Sequence, residues 1–84
     1  MKAYTMLMNV VFSSPRYQVL EYPEQDAIEL VNKIRAIGTL IQGDIAAGFR
    51  ASLLDLSTQQ PSAEEVDELI GNYDALMHLP QLYH

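Results

Sequence analysis

The secondary structure of residues 28–43, "IELVNKIRAIGTLIQG", determines whether this chain is mostly helical or half sheet. Apolar side chains recur there at helical spacing, in the order Ala27, Leu30, Val31, Ile34, Ile37 and Ile41. That spacing predicts an amphipathic helix with Asp26 as its N-cap and Gly38 as an internal weakness. The composition instead favours two short strands, "IELVNK" and "GTLIQG", separated by "IRAI". Because "IRAI" has none of the common turn residues, periodicity alone favours the helix and leaves the hairpin as the alternative.

The N-terminal part of the chain predicts a β-hairpin. Residues 4–12, "YTMLMNVVF", and residues 17–22, "YQVLEY", are rich in strand-forming side chains, and the polar turn "SSPR" separates them. Side chains alternate along a strand, so one face of the first strand is expected to carry Tyr4, Met6, Met8, Val10 and Phe12. Leu7 and Val11 are then expected on the opposite face.

Residues 44–57 predict the first helix. Asp44 is the expected N-cap, and the apolar stripe consists of Ile45, Phe49, Ser52, Leu53 and Leu56. Gly48 would weaken this helix by about 1 kcal/mol relative to alanine. A close approach of a neighbouring element would explain the glycine.

The segment "PSAEEVDELIGNYDALMHLP" predicts the second helix. Ser62 and Glu65 have the spacing of a capping box, and Pro80 is expected to end the helix. Its apolar stripe consists of Val66, Leu69, Ile70, Tyr73 and Met77.

Four stretches, in order along the chain, resemble a family of small, functionally uncharacterised proteobacterial proteins: "FSSPRYQVLEY", "IELVNK" with "GTLIQGDIAAGFR", "PSAEEVDELIGNYDALMHLP" and "QLYH". The family is marked by an N-terminal hairpin, an acidic C-terminal helix and a terminal histidine. The resemblance implies strand, turn and strand over residues 28–42, although Ile34 and Ile37 stand where the family has "NAR"-type turn residues. It implies no activity and no functional residue.

With that hairpin, the chain is expected to be one α+β domain over residues 1–84 in the order β-β-β-β-α-α. Two C-terminal helices would cover one face of a four-stranded antiparallel sheet made of two hairpins. Both faces would then be apolar. Leu7 and Val11 lie opposite the larger apolar group of the first strand, Leu20 and Tyr22 lie opposite Tyr17 and Val19 on the second, Val31 lies opposite Ile28 and Leu30 on the third, and Leu40 lies opposite Ile41 on the fourth. An apolar face needs a cover, so we expect a homodimer. The alternative is that the C-terminal tail or the 22–27 loop folds over it.

Composition excludes several classes of protein. The 84 residues contain no cysteine, which excludes disulfides, thiolate metal sites and cysteine nucleophiles. The net charge of −6 disfavours binding to nucleic acid or to anionic membranes. No stretch approaches the roughly 20 apolar residues of a membrane span. The N-terminal "MKAYTMLMNVVF" lacks a cleavage site for a signal peptide, so we expect a cytoplasmic protein.

No catalytic, cofactor-binding or metal-binding residue is predicted. The acids Glu64, Glu65, Asp67 and Glu68 indicate a solvated helix face rather than an acid–base pair. His78 is expected to stabilise the C-terminus of the last helix, and His84 to lie in a frayed end.

One possible partner surface remains, formed by Arg16, Tyr17, Lys33 and Arg35 where two predicted turns meet. The most consistent function is therefore a non-catalytic protein-interaction or regulatory module that acts as a homodimer. The first alternative is a small-ligand-binding or enzyme-accessory protein with a site at the dimer interface. The second is a nucleic-acid-binding protein.

Overall fold

The computed structural model describes residues 8–77. Its elements follow the order β1 (Asn9–Ser13), β2 (Tyr17–Tyr22), a 3-10 turn (Pro23–Gln25), β3 (Ala27–Asn32), β4 (Ile37–Gln42), α1 (Gly43–Ser57) and α2 (Ala63–Met77). The strands form one antiparallel sheet in the order β1-β2-β3-β4. This confirms the predicted α+β fold with two hairpins and two C-terminal helices. The predictions for Tyr4, Met6, Leu7, His78, Pro80 and His84 lie outside the described residues.

Residues 28–43 form the second hairpin, so the helix favoured by periodicity alone is wrong. β3 and β4 pair in regular register from Ala27 with Gln42 to Asn32 with Ile37. The connection is 33–36, one residue earlier than the predicted "IRAI". Two local features replace the missing turn residues. The Asn32 side-chain oxygen accepts a hydrogen bond from the Arg35 backbone N–H at 3.0 Å, and Ala36 adopts the left-handed conformation with φ 58°.

A β-bulge in β1 corrects the predicted face of one apolar residue. Val10 pairs with Leu20 and Phe12 with Val19, so Val11 is an extra residue in the ladder. Neighbouring residues of β2 point to opposite faces, so Val10 and Phe12 lie on opposite faces too. Phe12 packs against the core, whereas Val10 is 54% exposed on the other side. The prediction that these two residues share a face is therefore wrong.

Both helices pack on the sheet face that carries Phe12 and Val19, which we call the helix face. The core joins the sheet to the helices through Tyr17, Val19, Ile28, Leu30, Ile41, Ala46, Phe49, Val66 and Ile70. α1 packs against β3 and β4, and α2 packs against β3 and against α1. Consequently, the helix layer is centred on the second hairpin.

The start of α1 differs from its prediction. The helix begins at Gly43, its N-cap is Gln42 rather than Asp44, and no side chain caps it. Ala46 and Phe49 are fully buried, whereas Ile45 is 45% exposed and leaves the predicted stripe. Gly48 faces α2, where a Cβ would lie 3.4 Å from the Tyr73 hydroxyl, an ordinary van der Waals distance.

The capping box of α2 is confirmed. Glu65 N–H donates to the Ser62 hydroxyl at 3.2 Å, and Ser62 N–H donates to the Glu65 carboxylate at 2.9 Å. α2 then crosses the sheet end that carries both hairpin turns. Its position there is set by contacts of Asp67 with Ser14 and of Asp74 with Asn32. None of the helices within residues 8–77 is long and apolar enough to cross a membrane.

Candidate functional site

The sheet face opposite the helices, which we call the open face, carries a row of apolar side chains. Strand pairing and alternation place five of them there: Val10, Leu20, Tyr22, Val31 and Leu40. Leu40 is 55% exposed and Val10 54%, while the other three are half-buried. Within residues 8–77, no element packs over this face. Antiparallel sheets that face water usually carry mostly polar side chains there, whereas five side chains on this face are apolar and stand beside polar residues such as Gln18 and Glu29.

One carboxylate interrupts the apolar row. Glu29 accepts a hydrogen bond from the Tyr22 hydroxyl at 2.8 Å. Its other oxygen lies over Gly38, where any Cβ would collide with it. The hydrogen bond to Glu29 raises the pKa of the Tyr22 phenol above its ordinary value of 10.0, and burial and the Glu29 charge add to the shift. Tyr22 therefore holds this carboxylate against the sheet between Leu20 and Leu40.

The two hairpin turns bring three cations to one end of the sheet, which we call the basic end. Lys33 N–H donates to the Arg16 carbonyl at 2.9 Å, and Arg35 follows in the same turn. The Lys33 ammonium donates to the Ser13 hydroxyl at 2.9 Å. Between Lys33 and Arg35, Ile34 is 72% exposed.

Both ion pairs found among residues 8–77 belong to Arg50, so Arg16, Lys33 and Arg35 form no ion pair with a carboxylate in that part of the chain. Tyr17, the fourth predicted residue of this surface, is only 6% exposed and belongs to the core. The Arg16 guanidinium lies 5.7 Å from the centre of its ring. The structure thus brings Arg16, Lys33 and Arg35 together at the surface and places Tyr17 beneath them.

The predicted acidic face of α2 needs one correction. Glu64, Glu65 and Glu68 are exposed, but Asp67 is only 8% exposed. Its carboxylate accepts a hydrogen bond from the Ser14 hydroxyl at 2.7 Å. The same hydroxyl oxygen accepts the Tyr17 N–H at 3.1 Å. Asp67 therefore fixes the first hairpin turn on α2 and is not part of a solvated face. The burial of Asp67 could have been predicted from its spacing. Asp67 and Asp74 are three and four residues from Ile70, so all three lie on the same side of the helix as this apolar residue.

A cavity of about 400 Å³ opens on the helix face between β1, α1 and α2. Its wall is apolar and includes Phe12, Val19, Phe49 and Leu53, with Val11 and Leu54 at the rim. Its polar lining residues are Glu21, Arg50 and Ser57. Sequence reasoning missed this cavity, because its residues come from five separate elements, namely β1, β2, β3, α1 and α2.

Arg50 is held in place by two carboxylates. Its Nε donates to Glu21 Oε2 at 3.2 Å, and its Nη2 lies 3.1 Å from Asp26 Oδ1. These contacts tie α1 to the end of β2 and to the β2–β3 connection. Among residues 8–77 as a whole, no group of three histidine, aspartate or glutamate side chains is arranged to hold a metal ion.

Comparisons with known proteins agree with the resemblance seen in the sequence. Residues 6–84 match the family described as "Protein of unknown function (DUF3567)". The chain is similar to Protein BTH_I0359 of Burkholderia thailandensis, with 36% identity over 85 residues that cover 92% of this chain and 100% of that protein. No solved structure matches. The chain belongs to the DUF3567 family of proteins of unknown function.

Proposed function

We propose that this chain is a cytoplasmic, non-catalytic protein-interaction or regulatory module that acts as a homodimer through its open face. The observation that carries the proposal is the apolar row of Val10, Leu20, Tyr22, Val31 and Leu40 on a sheet face that the described helices leave bare. Contiguous apolar patches of this kind on small domains mark interaction surfaces. Two-fold dimers are the commonest way in which one chain covers such a patch with itself.

Energetics favour covering this face. Burying a Val or Leu side chain fully is worth about 1.5–3 kcal/mol. Val10 and Leu40 are both more than half exposed, so burying them in an interface would contribute much of that free energy. Folding alone leaves an 84-residue chain with a small margin of stability, which a second copy would raise.

The test is the molar mass in solution, measured by size-exclusion chromatography with light scattering. The wild type is expected at about twice the 9.5 kDa of one chain. Leu40→Glu places a charge in the apolar row of the open face, on the edge strand β4, and should give the single-chain mass. Ile45→Glu is the matched control, because Ile45 is 45% exposed on α1, away from this face. It should leave the mass unchanged.

A single-chain mass for the wild type at micromolar to millimolar concentration would rule out the homodimer. Equal effects of Leu40→Glu and Ile45→Glu would rule out the open face as the interface. Circular dichroism of both variants separates loss of the dimer from loss of the fold.

The basic end is the surface that we assign to a protein partner. Arg16, Lys33 and Arg35 lack carboxylate partners among the described residues, and the exposed Ile34 supplies an apolar anchor between them. A partner with acidic and apolar side chains would complement this end. The net charge of −6 disfavours a nucleic acid, because a phosphate backbone carries a negative charge at every nucleotide, whereas a protein partner needs acids only opposite the three cations.

A comparative pull-down from a nuclease-treated lysate tests this surface. The double variant Lys33→Gln and Arg35→Gln should lose a stoichiometric protein partner that the wild type retains. The control variant Gln59→Glu and Asn72→Asp changes the net charge by the same amount at exposed positions elsewhere. Loss of the partner in both variants would show a net-charge effect. Retention in both would remove the basic end from the proposal.

A further inference from the structure

We propose that the cavity between β1, α1 and α2 binds a small uncharged amphiphile, with an apolar chain inside and a carboxamide or hydroxyl group at the mouth. The cavity lies on the helix face, so this site is separate from the open face and does not depend on the homodimer. Its volume of about 400 Å³ falls within the range of roughly 300–1,000 Å³ that is typical of small-molecule sites.

The interior of the cavity is suited to an apolar chain. Val19 and Phe49 form part of the buried core, and Phe12 and Leu53 pack against that core. The helices are centred on the second hairpin, so this part of the helix face near β1 stays uncovered. At the rim, Val11 is 46% exposed and Leu54 68%. A bound chain would remove these side chains from water, which is the main source of affinity in such sites.

The polar groups at the mouth match a group that both donates and accepts hydrogen bonds. Arg50 uses Nε and Nη2 for Glu21 and Asp26, which leaves its Nη1 as a donor. Glu21 uses Oε2, which leaves Oε1 as an acceptor. Both side chains are about one-third exposed. A carboxamide can accept from Nη1 and donate to Oε1 at the same time.

The charges at the mouth select against ionised ligands. Glu21 and Arg50 are the charged residues that line the cavity, and they pair with each other at 3.2 Å, so their charges cancel at the mouth. A carboxylate head group would therefore meet the Glu21 carboxylate beside a guanidinium that is already paired. An ammonium head group would stand next to that guanidinium. An uncharged head group avoids both repulsions.

The test is an NMR titration of the ¹⁵N-labelled full chain with octanamide, octanoate and octylamine. These probes share one chain and differ in the charge of the head group. Octanamide should cause saturable shifts of the backbone amides of Val11, Phe49 and Leu53. The two ionised probes should bind more weakly by about tenfold or more.

Three variants locate the site. Val11→Trp should close the mouth and weaken octanamide binding by at least about tenfold. Val10→Trp is the matched control, because it is the adjacent residue of the same strand but lies on the open face. It should leave the affinity within about twofold. Glu21→Gln removes one anion at the mouth, so the preference for octanamide over octanoate should shrink. If Val11→Trp does not fold, Leu54→Trp closes the same mouth from α1.

Several results would overturn the proposal. They are the absence of saturable shifts with octanamide, equal or tighter binding of an ionised probe, and equal weakening by Val10→Trp and Val11→Trp. Shifts of the cavity amides that depend on protein concentration without any probe would show that a second copy of the chain occupies the cavity. That result would also overturn the proposal.

Discussion

Replacing Ala36 by glycine should stabilise the protein. Ala36 lies in the 33–36 turn between β3 and β4 and adopts φ 58°, a left-handed conformation. A side chain with a Cβ meets its own backbone there, which costs roughly 1–2 kcal/mol. Glycine has no such clash. Ala36 is also exposed, so deleting its methyl group leaves no cavity.

The expected gain follows from two opposing terms. Removing the clash contributes about 1–2 kcal/mol, and the greater backbone freedom of glycine in the unfolded chain takes back roughly 0.5–1 kcal/mol. The net increase in the free energy of unfolding lies between about 0 and 1.5 kcal/mol, with a centre near 0.75 kcal/mol. For a domain of this size, 1 kcal/mol corresponds to roughly 4–8 °C, so the melting temperature should rise by about 3–6 °C at that centre.

The control is the same substitution in a helix. Ala51 is exposed in α1, where alanine is the most favourable residue. Ala51→Gly should therefore lower the free energy of unfolding by about 1 kcal/mol. Urea unfolding followed by circular dichroism, at one fixed protein concentration, measures both variants against the wild type.

The two variants should thus move stability in opposite directions, and this contrast decides between the two interpretations of residues 28–43. If that stretch were a helix, Ala36→Gly would destabilise the protein as much as Ala51→Gly does. Equal losses would refute the hairpin turn and the left-handed residue within it. They would also remove the second hairpin on which the open face depends.

Two further predictions concern polar contacts. Ser14→Ala deprives the buried Asp67 of its 2.7 Å hydrogen bond and should lower the free energy of unfolding in urea by about 1–3 kcal/mol. Ser13→Ala, at the exposed neighbouring residue, should lower it by less than about 0.5 kcal/mol. Similar losses in the two variants would contradict the role of Asp67. The raised pKa of Tyr22 means that its hydrogen bond to Glu29 stabilises the fold below pH 10.0 and is lost as the pH rises through the folded-state pKa. The wild type should therefore lose stability above pH 10.0 more steeply than Tyr22→Phe, and parallel pH curves would refute this.

The order of elements could be predicted from the sequence, but the deciding evidence for the second hairpin was the family resemblance. Periodicity favoured a helix because Ile34 and Ile37 happen to complete an apolar stripe. In the fold, Ile34 is 72% exposed at the tip of the turn, so it contributes nothing to that stripe. The turn is held by the Asn32 side chain and by a strained alanine. Asparagine is a recognised turn residue, but Asn32 falls within the predicted strand "IELVNK", and alanine is not a residue that indicates a turn.

The candidate sites differ in whether neighbouring residues in the sequence are enough to predict them. The basic end depends on two turns whose positions follow from strand order, and the sequence predicted that Arg16, Lys33 and Arg35 would meet. The buried Asp67 depends on a partner 53 residues away. A carboxylate in a capping segment looks solvated until the hairpin turn that covers it is in place. The cavity depends on how far the helices extend across the sheet, which no local pattern encodes.

The bulge in β1 connects the two proposals physically. Three consecutive residues of β1 lie in three environments. Val10 lies on the open face, Val11 lies at the rim of the cavity, and Phe12 packs against the core. A regular strand would place Val10 and Phe12 on one face, so either the core would lose Phe12 or the open face would lose Val10. The extra residue gives each face an apolar group and leaves Val11 beside the cavity. A change that straightens β1 would therefore disturb the proposed interface and the proposed ligand site together. By contrast, Leu40→Glu should affect only the interface, and Leu54→Trp should affect only the ligand site.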